Sequence, residues 1–244
     1  MPLLEIDGVS KRFGGLQAVS HVSFSVADGE MVFIVGPNGA GKTTLFNLIS
    51  GVLRPDQGRL RFRGQDITGT SPHKTARLGI GRTFQIVKPL RTLTVLENVM
   101  LGAFMHTASP SMAAERAREV LAFLEMDGVV GLLAGGLPLP MLKRLEMARA
   151  LATRPALILL DEVVAGLSPS EAMSLAALLK KLPERGVAAV GGVEHVMRVV
   201  MSVATRVVVL DHGVEIAQGT PEAVVRTPAV LEAYLGTKYR ELGL

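Results

Sequence analysis

Cysteine is absent from this 244-residue chain, which excludes disulfides and thiolate metal sites and suits a reducing compartment. Tryptophan is absent as well. Aromatic residues total 4% against 48% hydrophobic residues, so the core must be aliphatic. Such a core suits a mostly parallel sheet covered by helices, whose buried strands read as continuous Val, Ile and Leu runs. Long uncharged apolar runs are missing too. The most apolar stretch, residues 187–210, contains Glu194, His195, Arg198 and Arg206, too many charges for the about 20 residues that cross a bilayer. The first residues, MPLLEIDG, lack a basic segment followed by an apolar one, so no signal peptide is expected. Charge of one sign is not in large excess: a net +4 permits an anionic ligand or a membrane surface but falls short of a basic stripe for nucleic acid. There is no internal repeat and no low-complexity segment.

What is present begins with residues 36–44, GPNGAGKTT. They fit the pattern G-x-x-x-x-G-K-[ST], with Gly36, Gly41, Lys42 and Thr43 at its fixed positions and Pro37, Asn38, Gly39 and Ala40 between them. An apolar strand-like run precedes the pattern, and helical apolar spacing follows it from Thr44. A Gly-rich turn between strand and helix would also read this way. As a P-loop, the glycines let successive backbone N–H groups point at phosphate oxygens, and the helix N-terminus adds partial positive charge. Lys42 then reaches the β- and γ-phosphates, and the Thr43 hydroxyl takes Mg²⁺. The ligand implied is a nucleoside triphosphate.

Two early strands, at residues 3–9 and 18–26, predict an antiparallel β lobe. Residues 58–64 alternate apolar and basic side chains, as a half-exposed strand does, and 80–85 predict another short strand. From residue 95 the pattern turns helical, clearest over 113–125, where Ala117, Val120, Leu121 and Leu124 share a face. A helix over 142–152 and strands over 156–160, 186–193, 206–210 and 214–217 follow. The expected fold is α/β: one domain over 1–244, in which 1–94 and 156–244 form a P-loop NTPase core with a mostly parallel sheet and an N-terminal antiparallel β lobe, and 95–155 form an inserted helical subdomain.

Residues 157–162, LILLDE, are an apolar strand that delivers two carboxylates at its C-terminal end. Such a pair can cap the next helix. Roughly 120 residues after a P-loop, Asp161 can instead help hold Mg²⁺ while Glu162 polarises an attacking water. Glu194-His195 ends another apolar strand, where His195 is either structural or within reach of a γ-phosphate. Gln85 ends a strand between the P-loop and the insert, so its amide can touch both Mg²⁺ and water.

With these motifs the chain resembles the ABC transporter ATPase family over nearly its whole length. The phrases GRTFQ at 81–85, RLEMARAL at 144–151, AQGTPE at 217–222 and VLEAYLG at 230–236 resemble the ATP-binding subunits of branched-chain amino acid importers. The resemblance implies the ABC ATPase fold, ATP and Mg²⁺ as ligands, and Phe13 as the aromatic that stacks on adenine. It implies Gln85 as the Q-loop glutamine, Asp161-Glu162 as the Walker B pair, Gly166-Leu167-Ser168 as the D-loop and His195 as the switch histidine. It further implies two membrane permease subunits, a second ATPase subunit and an extracytoplasmic binding protein as partners, and a place on the cytoplasmic face of the membrane.

The family signature LSGGQ should open the helix before Walker B. Here Leu137, Pro138, Leu139, Pro140 and Met141 occupy it, and only the leucine matches. In this family the signature of one subunit touches the γ-phosphate held by another, through a serine hydroxyl and glycine N–H groups. Pro138 and Pro140 have neither. A heterodimer with one working site is the expectation, with a poor signature tolerated in a homodimer as its rival. Further alternatives are a subunit that binds nucleotide but hydrolyses little, and a soluble non-transport ABC ATPase.

Overall fold

Five residues, Met31–Val35 (β3), are buried in full and form the central strand on which the molecule is built. The computed structural model describes residues 1–84, 88–192 and 197–235. Among these the strands are β1 (Leu4–Phe13), β2 (Leu16–Val26), β3, β4 (Gln57–Phe62), β5 (Gln65–Asp66), β6 (Ile80–Arg82), β7 (Leu157–Asp161), β8 (Ala188–Gly192), β9 (Arg206–Asp211) and β10 (Val214–Gly219). The helices are α1 (Lys42–Ile49), α2 (Pro72–Leu78), α3 (Val95–Ala103), α4 (Pro110–Phe123), α5 (Leu139–Ala152), α6 (Pro169–Leu179), α7 (Met197–Val203), α8 (Pro221–Val224) and α9 (Pro228–Leu235).

Two sheets result. One is antiparallel in the order β2-β1-β4-β5; the other runs β10-β9-β3-β8-β7-β6 and is parallel except at its β9–β10 edge. Period-two alternation splits the central strands between two cores. Met31, Phe33 and Val35 face one side with Ile158, Leu160, Val207 and Val209. Val32 and Ile34 face the other with Leu157, Leu159, Val208 and Leu210. The first core is closed by α3–α7, the second by α1 and the antiparallel sheet. Burial on both faces explains the uninterrupted apolar runs.

β8 is the exception to bulk, ending in Gly191-Gly192. A side chain at Gly191 would run into the Phe33 ring, and one at Gly192 would press on Phe46. The strand with the smallest side chains therefore lies between two of the few aromatic rings.

Several elements differ in extent from the sequence expectation. β1 continues to Phe13, because pairing resumes past irregularities in register near Val9 and Lys11. The strand expected over 80–85 ends at Arg82. α5 begins at Leu139 rather than 142, since prolines are compatible with the first turn of a helix. α2, with Pro72 in its first turn and Gly79 at its left-handed C-cap, carries too few apolar residues to announce itself by periodicity.

Candidate functional site

The loop between β3 and α1 takes its shape from close backbone approaches. At Gly41 (φ 97°), which precedes α1, a side chain would collide with the carbonyl oxygen of Ala18; at Gly36 it would strike that of Leu210. The first α1-type hydrogen bond is donated by Leu45 N–H to Gly41 O at 2.9 Å, so the preceding N–H groups of Lys42, Thr43 and Thr44 open the helix facing outward. Lys42 is buried, and its Nζ donates to Gly36 O (2.7 Å) and Pro37 O (2.9 Å). Gly39, Ala40, Gly41, Lys42, Thr43 and Thr44 line a cavity of about 380 Å³ with Phe13 at its mouth. Phe13, at the end of β1, is 45% exposed, and the Lys11 ammonium lies 5.8 Å from its ring centre. Strand, N–H-rich loop, lysine and aromatic fit a nucleotide. His212, in the β9–β10 turn with φ 45°, also lines this cavity. No sequence pattern pointed to it, since only the tertiary fold brings that turn beside β2.

Across the sheet, β7 ends at Asp161, buried beside Arg82. Asp161 Oδ2 accepts from Arg82 Nη2 at 2.9 Å, and its backbone N–H is given to Thr83 Oγ1 at 3.1 Å. Glu162 follows with φ 48°, a left-handed conformation costing a non-glycine residue about 1 kcal/mol or more. Its N–H reaches Gly192 O at 3.1 Å, and its carbonyl accepts from Lys143 Nζ at 3.0 Å. The turn after β7 is thus held in a strained shape by β8 on one side and α5 on the other. Thr43, Arg82, Phe84, Glu146 and Asp161 line one cavity of about 510 Å³. It brings a hydroxyl and a carboxylate together, the hard oxygen donors that suit Mg²⁺ held jointly with phosphates. Among the described residues no group of three or more His, Cys, Asp or Glu side chains could hold a metal alone.

Two buried charges on α5 escaped the sequence analysis. Glu146 Oε1 accepts the Phe84 N–H at 2.6 Å, its Oε2 is buried without a partner among the described residues, and burial pushes its carboxyl up. Burial pushes the Lys143 ammonium down, against the opposing pull of Glu146, Glu162 and Asp161. Both lie among apolar neighbours at helical spacing, where a charged residue reads as a solvated face. In α9, burial pushes the Tyr234 phenol up, opposed by a hydrogen bond from the Gly36 N–H.

The segment 137–141 keeps the helix opening but lacks donors. Pro138 is the N-cap of α5 (φ −69°, ψ 160°) with no side-chain cap, and Pro140 lies in the first turn. Leu137 is buried, whereas Leu139 is 41% exposed and approaches Gly166. Gln85, Glu194, His195, Val196 and Gly236 lie outside the described residues; Arg82 ends β6 just before the first, and β8 ends between β3 and β7 just before the second, third and fourth.

Residues 19–165 match the family described as ABC transporter, and residues 215–240 match that described as branched-chain amino acid ATP-binding cassette transporter. The chain is 38% identical over 250 residues to the high-affinity branched-chain amino acid transport ATP-binding protein BraF of Pseudomonas aeruginosa, spanning 96% of this chain and 98% of that protein. To the LivG protein of Escherichia coli K12, named for the same transport, it is 37% identical over the same shares. Among solved structures it resembles the ADP conformation of an ATP-binding cassette of an ABC transporter (TM-score 0.88, 33% identity, 97% of this chain and 99% of that one). A nucleotide-free cassette gives a TM-score of 0.87 at 33% identity over 96% and 99%.

Proposed function

The chain belongs to the ABC transporter family, and on that footing we propose that it is the ATP-binding and ATP-hydrolysing subunit of a branched-chain amino acid importer. The observation that carries the reading is that the P-loop cavity and the cavity holding the Asp161 carboxylate meet at Thr43, which lines both. Phe13 takes the adenine; the N–H groups from Gly39 to Thr44 and the Lys42 ammonium take the phosphates. Thr43, Gln85 and Asp161 would hold Mg²⁺, which supplies charge neutralisation at the β- and γ-phosphates. Glu162 orients and deprotonates the attacking water, His195 reaches the γ-phosphate, and the Gln85 amide touches Mg²⁺ and the water.

No helix among the described residues is long and apolar enough to cross a membrane, so in this reading the subunit works through permeases it touches at the cytoplasmic face. Their docking surface lies around residues 86–111. Beside it, a groove of about 370 Å³ runs between α3, α5 and β6, with exposed Val52, Phe84 and Leu101 on its walls. Partners are two permease subunits, an extracytoplasmic binding protein that selects the amino acid, and a second ATPase subunit.

Pro138 and Pro140 favour a heterodimer. The site built from this chain's P-loop and a partner's intact signature would hydrolyse ATP, and the opposite site would be weak. The same prolines support a second reading, a subunit that binds nucleotide and turns it over little. ATPase rates of the purified chain, alone and mixed with the ATPase subunit encoded nearest to it, separate the possibilities. Activity in the mixture only is expected. A homodimer as fast as the mixture rules out the heterodimer, and silence in both supports the second reading.

A further inference from the structure

Two cavities share a wall. The groove between core and helical segment and the cavity beside Thr43 and Asp161 have Arg82, Phe84, Glu146 and Arg149 in common. Of these, Arg82 is fixed by the most partners. Its Nη1 donates to Asn47 Oδ1 (2.7 Å) and Ser50 Oγ (2.8 Å) on the C-terminal side of α1, its Nη2 donates to Asp161 Oδ2 (2.9 Å), and its guanidinium lies 5.4 Å from the Phe84 ring centre. The side chains of Arg82 and Asp161 are each only 11% exposed. At that depth a carboxylate without a partner is strongly unfavourable, so the aspartate is never left as a lone buried anion.

We propose that Arg82 is the resident counter-ion of Asp161 and the positioning residue of the metal-side carboxylate. It keeps Asp161 paired and aimed in the absence of metal. Its fixed positive charge then opposes a divalent cation that approaches the same carboxylate. The guanidinium fork suits this task, because one arm is anchored on the P-loop helix and the other holds the Walker B strand. Binding of metal therefore has to share Asp161 with a cation that cannot retreat far, and the metal site is weaker than its ligands alone would make it. Because Arg82 and Phe84 also wall the groove, whatever occupies the groove bears on the same guanidinium.

The inference rests on the assignment of Thr43 and Asp161 to Mg²⁺. Its test uses the full chain, a fluorescent ADP analogue and a Mg²⁺ titration at saturating analogue. For R82Q, half of the metal-dependent signal should be reached at about tenfold less free Mg²⁺ than in the wild type, since a full charge near the cation is removed. Analogue affinity in EDTA should stay within roughly twofold for every variant, because Arg82 does not line the P-loop cavity. R82K loses the fork but keeps the charge that opposes the cation, and should stay within about threefold of the wild-type midpoint. An R82Q midpoint at or above the wild-type value overturns the proposal, as does an R82K shift as large as that of R82Q. A wild type whose signal ignores Mg²⁺ overturns the metal assignment instead. Should R82Q not fold, the arginine side-chain resonances of the wild type carry the test, with the Arg82 signal identified by its loss in R82K. Movement of that signal when Mg²⁺ joins the ADP-bound protein is expected; a stationary signal overturns the proposal.

Discussion

Two helices of this molecule begin where the proposed function places a phosphate, and they begin in opposite ways. α1 opens on Gly41, Lys42 and Thr43, with backbone N–H groups exposed to the cavity and a buried ammonium beside them. α5 opens on Pro138 and Pro140, with no capping hydroxyl and two fewer N–H groups. Both are sound helix starts, because the first turn of a helix spends no intrahelical bonds on its N–H groups and so tolerates proline. Foldability and anion binding are therefore separable at a helix N-terminus. The α5 opening retains the first property and has lost the donors for the second. α3 and α6 make the contrast plainer, since Thr94 with Glu97 and Ser168 with Glu171 form full capping boxes.

The strongest way to sharpen the contrast is to disable the intact side. Glu162→Gln should lower ATP turnover in the mixed dimer by about 10²–10⁴, the usual contribution of a general base, while equilibrium binding of a fluorescent ATP analogue is retained. Single-turnover hydrolysis reads the first and a binding titration the second. If turnover survives, Glu162 is not the base and the working site is elsewhere.

The next test repairs the weak side. Pro138→Ser with Pro140→Gly restores a hydroxyl and two N–H groups at the start of α5. One donor to a transition-state anion is worth about 2.7–4 kcal/mol, so steady-state ATPase of the chain alone should rise by two orders of magnitude or thereabouts. An unchanged rate would mean that the prolines are not what silences that face. A smaller effect falls on folding. Gly41→Ala places a side chain against the Ala18 carbonyl in a left-handed conformation, which should destabilise by about 1–3 kcal/mol in denaturant unfolding and weaken nucleotide binding.

The smallest expected effect is a pH slope from Glu146. Burial raises its folded-state carboxyl above the ordinary 4.5. The folded state thus holds this proton more tightly than the unfolded chain. Its stabilising contribution is full below pH 4.5 and is lost as pH rises through the raised value. Glu146→Gln keeps an oxygen for the Phe84 N–H and removes the titration. Its melting temperature should therefore gain on the wild type as pH increases from 4 towards 8, in a scan of about one-unit pH steps. A constant difference would mean that the buried carboxylate is compensated by a charge after all.

The intact side was legible in the sequence because it is local. Gly36 to Thr44 are contiguous, and LILLDE announces a buried strand ending in acids. The parallel sheet followed from its apolar runs, which the two cores require. What stayed hidden depends on side chains meeting across the fold. Arg82 looks like one residue of a phrase until β6 lies beside β7 and its fork spans Asn47, Ser50 and Asp161. Glu146 and Lys143 look like surface positions of α5, whose weak amphipathicity gives no buried face to read. His212 is remote in the chain from the loop it flanks. The irregular pairing of β1 that carries it on to Phe13 comes from register slips that alternation cannot register.

The two bonds from Lys42 to the carbonyl oxygens of Gly36 and Pro37 bear on speed as well as on affinity. The loop is braced by its own ammonium, so an arriving nucleotide meets a preformed ring and needs only to trade one set of oxygens for another. Such an exchange is sequential, with one hydrogen bond released as the next is made, and it asks for no slow refolding of the loop. Capture should then be limited by diffusion and orientation. The lifetime of the complex, not the rate of its formation, is where differences between ATP and ADP would be written.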